Sequence, residues 1–347
     1  MSKPIWYTRC TVATASGIAH QRGMFGAVFA DSPYEARCLG ELGRAQAATH
    51  STHALADSIR EGGAIPPLWA RQNGADTVLV ALTWVPECLS FYVRADDAAR
   101  SFADLRGRRL GIPVRPGLEI DFMRVNAHKA FSHALEAHGM SAGDVELTLV
   151  DIHDDPLGIA NQDLGKGDAR VVPAIYAPEV EALLAGKADA VFAKNAETKY
   201  LERCYAGRIR KVYDLLVTDR EEWKLNANPR VISVSGNTAR ENPDAIVRYL
   251  QVLIRAADWA ARHPAQVPDV MAAELGVAPQ DIVTSYEPGF EQRLWPSLSA
   301  SIQDLLRLQM RFMVQHGYLS PDVRLEGWVD DRFLKEAYRR ENLAWAA

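Results

Sequence analysis

The chain of 347 residues is long enough for two lobes or domains, and its hydrophobic content of 48% supports substantial cores. A formal net charge of -5 and a pI near 6.0 give no basic surface for nucleic acid, and no dense run of lysine and arginine suits an anionic membrane. Nucleic acid and lipid are therefore not expected as partners.

The start of the chain contains no apolar segment of the length of a secretory signal, and no later run is long enough to span a bilayer. The cysteines are widely scattered and include no Cys-x-x-Cys pair: Cys10, Cys38, Cys88 and Cys204. This usage is typical of thiols in a reducing compartment rather than of a disulfide framework. We expect a cytoplasmic protein.

Short β-type runs alternate with helical patterns along the chain, which predicts βαβ units and mainly parallel sheets. The runs occupy residues 77–84, 89–94, 108–114, 146–152, 188–192, 209–216 and 230–234. In the last third, Asn242 and Pro243 supply a helix cap and a first-turn proline. Apolar residues then repeat at helical spacing and predict a stripe that faces the core: Ile246, Val247, Leu250, Leu253, Ile254 and Ala257.

The order of three segments indicates how the lobes are connected. Phe91-Tyr-Val-Arg94, Phe102-Ala-Asp-Leu-Arg-Gly107 and Arg109-Leu-Gly-Ile-Pro113 resemble the crossover of type II solute-binding proteins. We expect a two-lobed α/β fold of the type II periplasmic-binding-protein-like class, with lobe 1 over residues 1–107 and 225–347 and lobe 2 over residues 108–224. The ligand site of such a fold lies in the cleft between the lobes. Residues 154–170, rich in Asp, Gly, Asn and Gln, form either a lid beside that cleft or a solvated loop.

Cys10 is the first candidate for chemistry. It follows the β-type stretch Ile5-Trp-Tyr-Thr8, so we expect it at the carboxyl end of the first strand of lobe 1, where the ligand site belongs. A cysteine in such a position is more often a small buried hydrophobe than a nucleophile. A functional role for Cys10 therefore needs support from other residues.

The segment from His50 to Pro67 offers that support. Ser51 or Thr52 can cap a short helix that runs to Arg60 and ends at Gly62, with His50 just before it. A histidine can lower the pKa of a thiol or relay its proton, and an arginine presents two parallel donors to an oxyanion. Each also has an ordinary interpretation, His50 as a cap or surface residue and Arg60 as a cation favoured by a helix C-terminus.

After the glycines, Pro66 or Pro67 suits the first turn of the next helix. This arrangement leaves Gly63 with a backbone N–H near a helix N-terminus, where an anion fits. His50, His53 and Asp57 also share one face of the expected helix, but no cysteine or glutamate cluster completes a site, so we expect no metal. The chain has no P-loop or Gly-x-Ser-x-Gly motif, and Gly111 is too isolated for a dinucleotide loop.

Taken together, these segments resemble the 2'-hydroxybiphenyl-2-sulfinate desulfinases, which act in sulfur removal from dibenzothiophene. The spacing from His50 to Arg60 to Gly62-Gly63, combined with a cysteine after the first strand, is the specific part. The other matching segments are Tyr7-Thr-Arg-Cys10, Gly62-Gly-Ala-Ile-Pro-Pro-Leu68, Phe91-Tyr-Val-Arg-Ala-Asp96, Asp104-Leu-Arg-Gly-Arg-Arg-Leu-Gly111, Asp144-Val-Glu-Leu147, Glu274-Leu-Gly-Val277 and Phe290-Glu-Gln-Arg-Leu294.

The resemblance implies a hydrolase that cleaves a carbon–sulfur bond, releases sulfite and needs no metal or organic cofactor. It makes Cys10 the essential cysteine, Arg60 the ligand of the sulfinate oxygens, His50 the histidine beside them and Gly63 a nearby backbone amide. Cys10 then acts either as a nucleophile at sulfur or as the acid that protonates the carbon. The expected partner is a small anionic substrate, and a monomer is the expected state.

One departure concerns the substrate. The family places a tryptophan where this chain has Asn126, so a substrate other than a biphenyl sulfinate is open. Two other functions also stay open: a decarboxylase-like enzyme on the same scaffold, and a solute-binding protein for a small sulfonate or carboxylate, which normally carries an export signal. Several further residues are possible cleft liners, although core or rim positions are more typical of them: Trp69, Trp84, Phe192, Lys194 and Trp223.

Overall fold

The computed structural model describes residues 2–42, 46, 49–118, 120–154 and 175–344; the side chain of His50 lies outside this description. The strands are β1 (Lys3–Tyr7), β2 (Tyr34–Cys38), β3 (Ser58–Gly62), β4 (Thr77–Thr83), β5 (Leu89–Arg94), β6 (Arg109–Val114), β7 (Glu146–Asp151), β8 (Val191–Lys194), β9 (Ile209–Asp214) and β10 (Arg230–Ser235). The α-helices are α1 (Ala15–Gln21), α2 (Met24–Phe29), α3 (Thr49–Thr52), α4 (Ile65–Gln72), α5 (Phe122–Ala137), α6 (Ala177–Leu184), α7 (Glu197–Cys204), α8 (Gly236–Glu241), α9 (Pro243–Arg262), α10 (Val267–Leu275), α11 (Pro279–Ser285), α12 (Ala300–Gln315) and α13 (Arg332–Arg340). Short 3-10 helices span Leu39–Leu42, Phe102–Leu105, Ala142–Asp144, Leu215–Val217, Glu221–Lys224, Pro264–Gln266 and Phe290–Arg293.

The first sheet has the strand order β2-β1-β3-β10-β4. Strand β1 runs parallel to β2 and β3, whereas β10 runs antiparallel to β3 and β4. The carboxyl ends of β1 and β3 therefore lie at the same edge of the sheet. That edge is where a ligand site is expected in an open α/β sheet.

The second group of strands is ordered β8-β5-β9, with β6 and β7 paired beside it. A parallel bridge between Leu110 and Ala190 joins β6 to the segment before β8. Strand β5 is antiparallel to both of its neighbours. The expectation of mainly parallel sheets is therefore wrong for β5 and β10. The chain reaches β5 from lobe 1 and β10 from lobe 2. Neither strand therefore follows a helical crossover within its own sheet, which is the connection that joins neighbouring parallel strands.

Two separate hydrophobic cores define two lobes, and the structure corrects the expected boundary at residue 107. Leu89 and Phe91 of β5, together with Phe102, are buried in the second core rather than the first. The chain thus leaves lobe 1 between β4 and β5, and the Arg109-Leu-Gly-Ile-Pro segment lies inside lobe 2. On the return, Trp223 packs against the second core and Ala227 belongs to the first.

Helix α9 carries the centre of the lobe 1 core. It begins at Pro243 after Asn242, as expected, and the predicted stripe is buried, with Ile246 and Leu250 both fully enclosed. Asn242 does not cap the helix with its side chain, because its Nδ2 donates to Asp57 Oδ1 over 2.7 Å. Within the described ranges, the helices are too short or too polar to cross a membrane.

Candidate active site

A cavity with about 860 Å³ of empty space, open to solvent, lies between the lobes. Lobe 1 contributes Cys10, Arg60 and Gly63 to its wall, so these three residues predicted from the sequence share one site. The remaining lining residues are Arg9, Thr11, Val12, Gly62, Ile65, Pro66, Phe122, Met123, Asn126, Ile175, Tyr176, Lys194, Asn195, Ala227, Asn228 and Arg230. The cavity therefore combines one thiol with several cations and an apolar surface.

Cys10 lies in the loop between β1 and α1, and the loop is fixed on both sides of it. Before it, Thr8 donates its hydroxyl to Glu61 O over 3.0 Å and accepts from Glu61 N over 2.8 Å. After it, Ala13 N donates to the Tyr286 hydroxyl over 2.9 Å. The thiol is a free cysteine of intermediate exposure. These clamps hold it at the carboxyl end of β1 while leaving it open to the cavity.

Arg9, the neighbour of Cys10, lines the cavity and pairs with a buried carboxylate. Its Nε donates to Glu274 Oε1 over 2.8 Å, and its Nη2 pairs with the second oxygen of the same carboxylate. Gln21 donates to that carboxylate as well, over 2.8 Å. The charge of Arg9 is thus balanced by a buried partner, and its pairing anchors the loop to helix α10.

Arg60 reaches the cavity from a strand, not from the helix expected from the sequence. Helix α3 ends at Thr52, and Ser58–Gly62 form β3, which pairs with β1 on one side and β10 on the other. The predicted helix is therefore present only as the short turn Thr49–Thr52. Pairing with two neighbouring strands decides the conformation of residues 58–62, and Arg60 lies in the middle of them.

Arg60 is 3% exposed, and its Nη2 donates to Gly63 O over 3.0 Å. Burial lowers its pKa to about 10, while negative charge at Cys10 and Glu61 acts in the opposite direction. It therefore remains a cation at neutral pH. Gly62 permits this placement, because a Cβ there would stand 3.0 Å from Arg60 Nη2.

Gly63 lies between β3 and helix α4, which begins at Ile65 with Pro66 in its first turn, as expected. The next residue, Ala64, donates its backbone N–H to Ala227 O over 2.7 Å. A Cβ on Gly63 would meet that same carbonyl oxygen at 3.3 Å. The chain therefore passes close to the return segment from lobe 2 at this point, and glycine fits the narrow space.

The segment contains two histidines, His50 and His53. The backbone of His50 lies in α3, and its side chain is outside the described part of the chain. His53 bonds to Ser233 Oγ through Nε2 over 2.7 Å, and burial, with help from the charge of Arg60, lowers its pKa to about 3. His53 is therefore neutral and packs on β10. Asp57, the third metal candidate, pairs with Lys3 over 3.1 Å.

Lys194 and Arg230 form a second cationic group that the sequence does not predict. Lys194 at the end of β8 and Arg230 at the start of β10 both line the cavity and both contact the buried carboxylate of Glu87. Lys194 Nζ lies 3.4 Å from Glu87 Oε1, and Arg230 Nη2 lies 2.9 Å from Oε2. In the sequence, Arg230 is visible only as a charged residue at the first position of an apolar strand. Lys194 is visible only as a charged residue at the end of another.

The rest of the wall is largely apolar and suits the carbon body of a ligand. Ile65 and Pro66 of lobe 1 line the cavity together with Phe122 and Met123 of α5. Asn126, which replaces the expected tryptophan, lines it too and is buried. The other expected liners, apart from Lys194, are not part of this wall: Trp69, Trp84, Phe192 and Trp223.

Residues 155–174 lie outside the described residues, so the expectation of a lid over residues 154–170 concerns a segment of which only Asp154 is described. Asp154 accepts from Arg115 Nε over 2.6 Å. Arg115 also lies 2.9 Å from Glu179, whose pKa burial raises to about 7. This network fixes the described chain on both sides of that segment.

The fold and the cavity define the class: a two-lobed type II periplasmic-binding-protein-like protein with a thiol and buried cations in its cleft. No protein-family model matches the chain. The 2'-hydroxybiphenyl-2-sulfinate desulfinases of Rhodococcus erythropolis and Rhodococcus qingshengii are each 27% identical to it over 355 aligned positions, which cover 96% of this chain and 93% of the relative.

Solved structures agree with this similarity. The crystal structure of the desulfurization enzyme DSZB has a TM-score of 0.76 at 24% identity, and the match covers 98% of this chain and 99% of that one. A cysteine-to-serine mutant of DSZB in complex with biphenyl-2-sulfinic acid has a TM-score of 0.74 at 25% identity, with 98% and 100% covered. The alkanesulfonate-binding protein SsuA from Xanthomonas axonopodis pv. citri, bound to MOPS, shares the fold alone at 16% identity, 95% and 100% coverage and a TM-score of 0.63.

The expected fold class and the expected resemblance are both confirmed. The chain is a homologue of the 2'-hydroxybiphenyl-2-sulfinate desulfinases and matches them over nearly its whole length.

Proposed function

We propose that this protein is a sulfinate desulfinase, a hydrolase that converts a sulfinate and water into a hydrocarbon and hydrogen sulfite. The observation that carries the proposal is the meeting of Cys10, Arg60 and Gly63 on one cavity wall in a homologue of desulfinases. The cysteine-to-serine mutant used to hold biphenyl-2-sulfinic acid in DSZB agrees with a reactive cysteine in this fold.

Arg60 and Gly63 supply the anion site. A sulfinate carries one negative charge over two oxygens, and a guanidinium offers two parallel donors to such a group. Because Arg60 is buried and its Nη2 is already bonded to Gly63 O, the fork is held in place before the substrate arrives. Preorganised donors of this kind stabilise charge that develops on oxygen as the carbon–sulfur bond breaks.

Cys10 has two balanced routes to the same products. As a nucleophile, its thiolate bonds to sulfur, the carbon leaves with a proton, and water then releases hydrogen sulfite from the Sγ-bound SO₂ group and restores the thiol. As an acid, the thiol gives its proton to the carbon, sulfur dioxide departs and is hydrated, and the proton that hydration releases restores the thiol. In either route His50 is proposed to tune the Cys10 proton. Neither route uses a metal or an organic cofactor.

The apolar wall supports an aryl or alkyl body on the sulfinate, and the buried Asn126 in place of an aromatic residue supports a substrate other than an unmodified biphenyl. All four cysteines are free thiols, which supports a reducing cytoplasmic location. We also propose that the protein acts as a monomer.

The test is a substrate panel for the purified protein. It contains biphenyl-2-sulfinate, benzenesulfinate, an alkyl sulfinate and benzoate, and both sulfite and carbon dioxide are measured. We expect sulfite from at least one sulfinate and no carbon dioxide from benzoate. Arg60→Ala should raise KM strongly, whereas Arg71→Ala, which removes an arginine outside the cavity wall, should not. Carbon dioxide release would indicate a decarboxylase, and tight binding of sulfinates without turnover would indicate a binding protein.

A further inference from the structure

We propose that Lys194 and Arg230, joined through Glu87, form a second cationic centre that stabilises negative charge on the Cys10 sulfur. This inference deepens the proposed function, since it rests on Cys10 as the reacting group. It assigns a positioning role to two residues that line the same cavity as Cys10 and the proposed sulfinate ligands.

The centre is built at the junction of the lobes. Glu87 lies between β4 and β5, where the chain leaves lobe 1, and Arg230 begins β10 just after the chain returns. Lys194 ends β8 in lobe 2, and its Nζ also donates to Asn226 O over 3.3 Å.

Burial makes these charges effective. Glu87 is fully buried, Arg230 is 2% exposed, and the Lys194 side chain is 12% exposed. Charges removed from water act on their neighbours more strongly than surface charges do. Negative charge at Cys10 favours the cationic forms of Lys194 and Arg230. By the same interaction, the two cations favour negative charge at Cys10.

In the described part of the chain, Lys194 and Arg230 are only partly neutralised by the carboxylate that they contact. Arg9 is balanced by Glu274. Lys194 and Arg230 share the carboxylate of Glu87, so two positive charges meet one negative charge in this cluster. A thiolate at Cys10 matches the remaining positive charge.

The presence of Glu87 makes the electrostatic role testable, because loss of a cation and loss of the carboxylate should have opposite effects on Cys10. Replacing Lys194 or Arg230 by glutamine removes one positive charge and leaves Glu87 with the other cation as a partner. Replacing Glu87 by glutamine keeps both cations and removes the negative charge between them. A purely structural cluster has no reason to respond in opposite directions to these changes, whereas an electrostatic centre must.

The experiment measures alkylation of Cys10 by iodoacetamide as a function of pH, read from the Cys10 peptide by mass spectrometry. Iodoacetamide is neutral, so its approach is not steered by charge, and the peptide readout separates Cys10 from the exposed Cys204. We expect Lys194→Gln and Arg230→Gln to move the midpoint of the profile upward by about one pH unit each, a tenfold loss of thiolate at neutral pH. Glu87→Gln should move it downward. Lys194→Arg should keep the wild-type midpoint.

The matched control is Lys224→Gln, since Lys224 is also buried near the lobe junction but pairs with Glu287 over 2.7 Å. Its midpoint should equal that of the wild type. The inference would be overturned if folded Lys194→Gln and Arg230→Gln both keep the wild-type midpoint. Upward shifts of the midpoint in both Glu87→Gln and Lys224→Gln would also overturn it. The readout needs no turnover: shifted midpoints without sulfite release would reject only the proposed function, and sulfite release without shifts would reject only this inference.

Discussion

Gly62→Ala tests whether the position of Arg60 controls the reaction. A Cβ at residue 62 would stand 3.0 Å from Nη2, 3.3 Å from Cζ and 3.4 Å from Nη1 of Arg60. These atoms form the far end of a flexible side chain, so the guanidinium moves rather than the backbone. Its hydrogen bond to Gly63 O, 3.0 Å long, is then lost or distorted. The main consequence should therefore fall on substrate binding and not on folding.

The magnitude follows from the lost interaction. A hydrogen bond to a charged group contributes about 1.5–3 kcal/mol, and each 1.4 kcal/mol corresponds to about a tenfold change. We expect kcat/KM for sulfite release to fall about 10- to 100-fold, with the free energy of unfolding in urea within about 1 kcal/mol of wild type. Gly26→Ala is the matched control, because nothing lies within 4 Å of a Cβ there. Wild-type kcat/KM in Gly62→Ala would refute the role given to Arg60.

Two further predictions concern stability. Gly111→Ala should lower the free energy of unfolding by about 1–3 kcal/mol, measured in urea, because its Cβ would stand 2.9 Å from Ala188 Cβ and 3.3 Å from Ala190 O; equal stability would contradict this packing role. Burial lowers the pKa of Lys129 from 10.5 to about 7, so between these values the unfolded chain binds more protons and stability should rise with pH, by at most about 1.4 kcal/mol per pH unit. Lys129→Met should flatten that dependence between pH 7 and 9, and an identical slope in both proteins would contradict it.

Much of the fold could be predicted because local patterns and tertiary pairing agree. The run at residues 89–94 coincides with β5, and the apolar stripe of α9 is buried as expected. The boundary between the lobes was placed too late, because the Arg109-Leu-Gly-Ile-Pro motif marks the first parallel strand of lobe 2 and not the crossover itself. Strand β5 carries no local signal of which sheet it joins.

The candidate site was predictable only in part. Cys10 was located by the end of β1, a local feature, and Arg60 and Gly63 by their spacing in a family resemblance. The predicted helix over this segment is wrong, because a run of five residues such as Ser58–Gly62 has too little periodicity to reveal a strand. Lys194 and Arg230 were out of reach as a pair, since only the three-dimensional structure brings two distant cations to one carboxylate.

The central claim is that Cys10 drives cleavage of the carbon–sulfur bond, and one comparison tests it most directly. Sulfite and biphenyl released from biphenyl-2-sulfinate, or the corresponding products of the best sulfinate found, are measured for wild type, Cys10→Ser and Cys204→Ser. Cys204 is exposed on α7 and does not line the cavity, so its variant controls for loss of a thiol. We predict equal amounts of the two products from wild type and Cys204→Ser, and neither from Cys10→Ser. Wild-type release of both products by a folded Cys10→Ser protein would contradict the account.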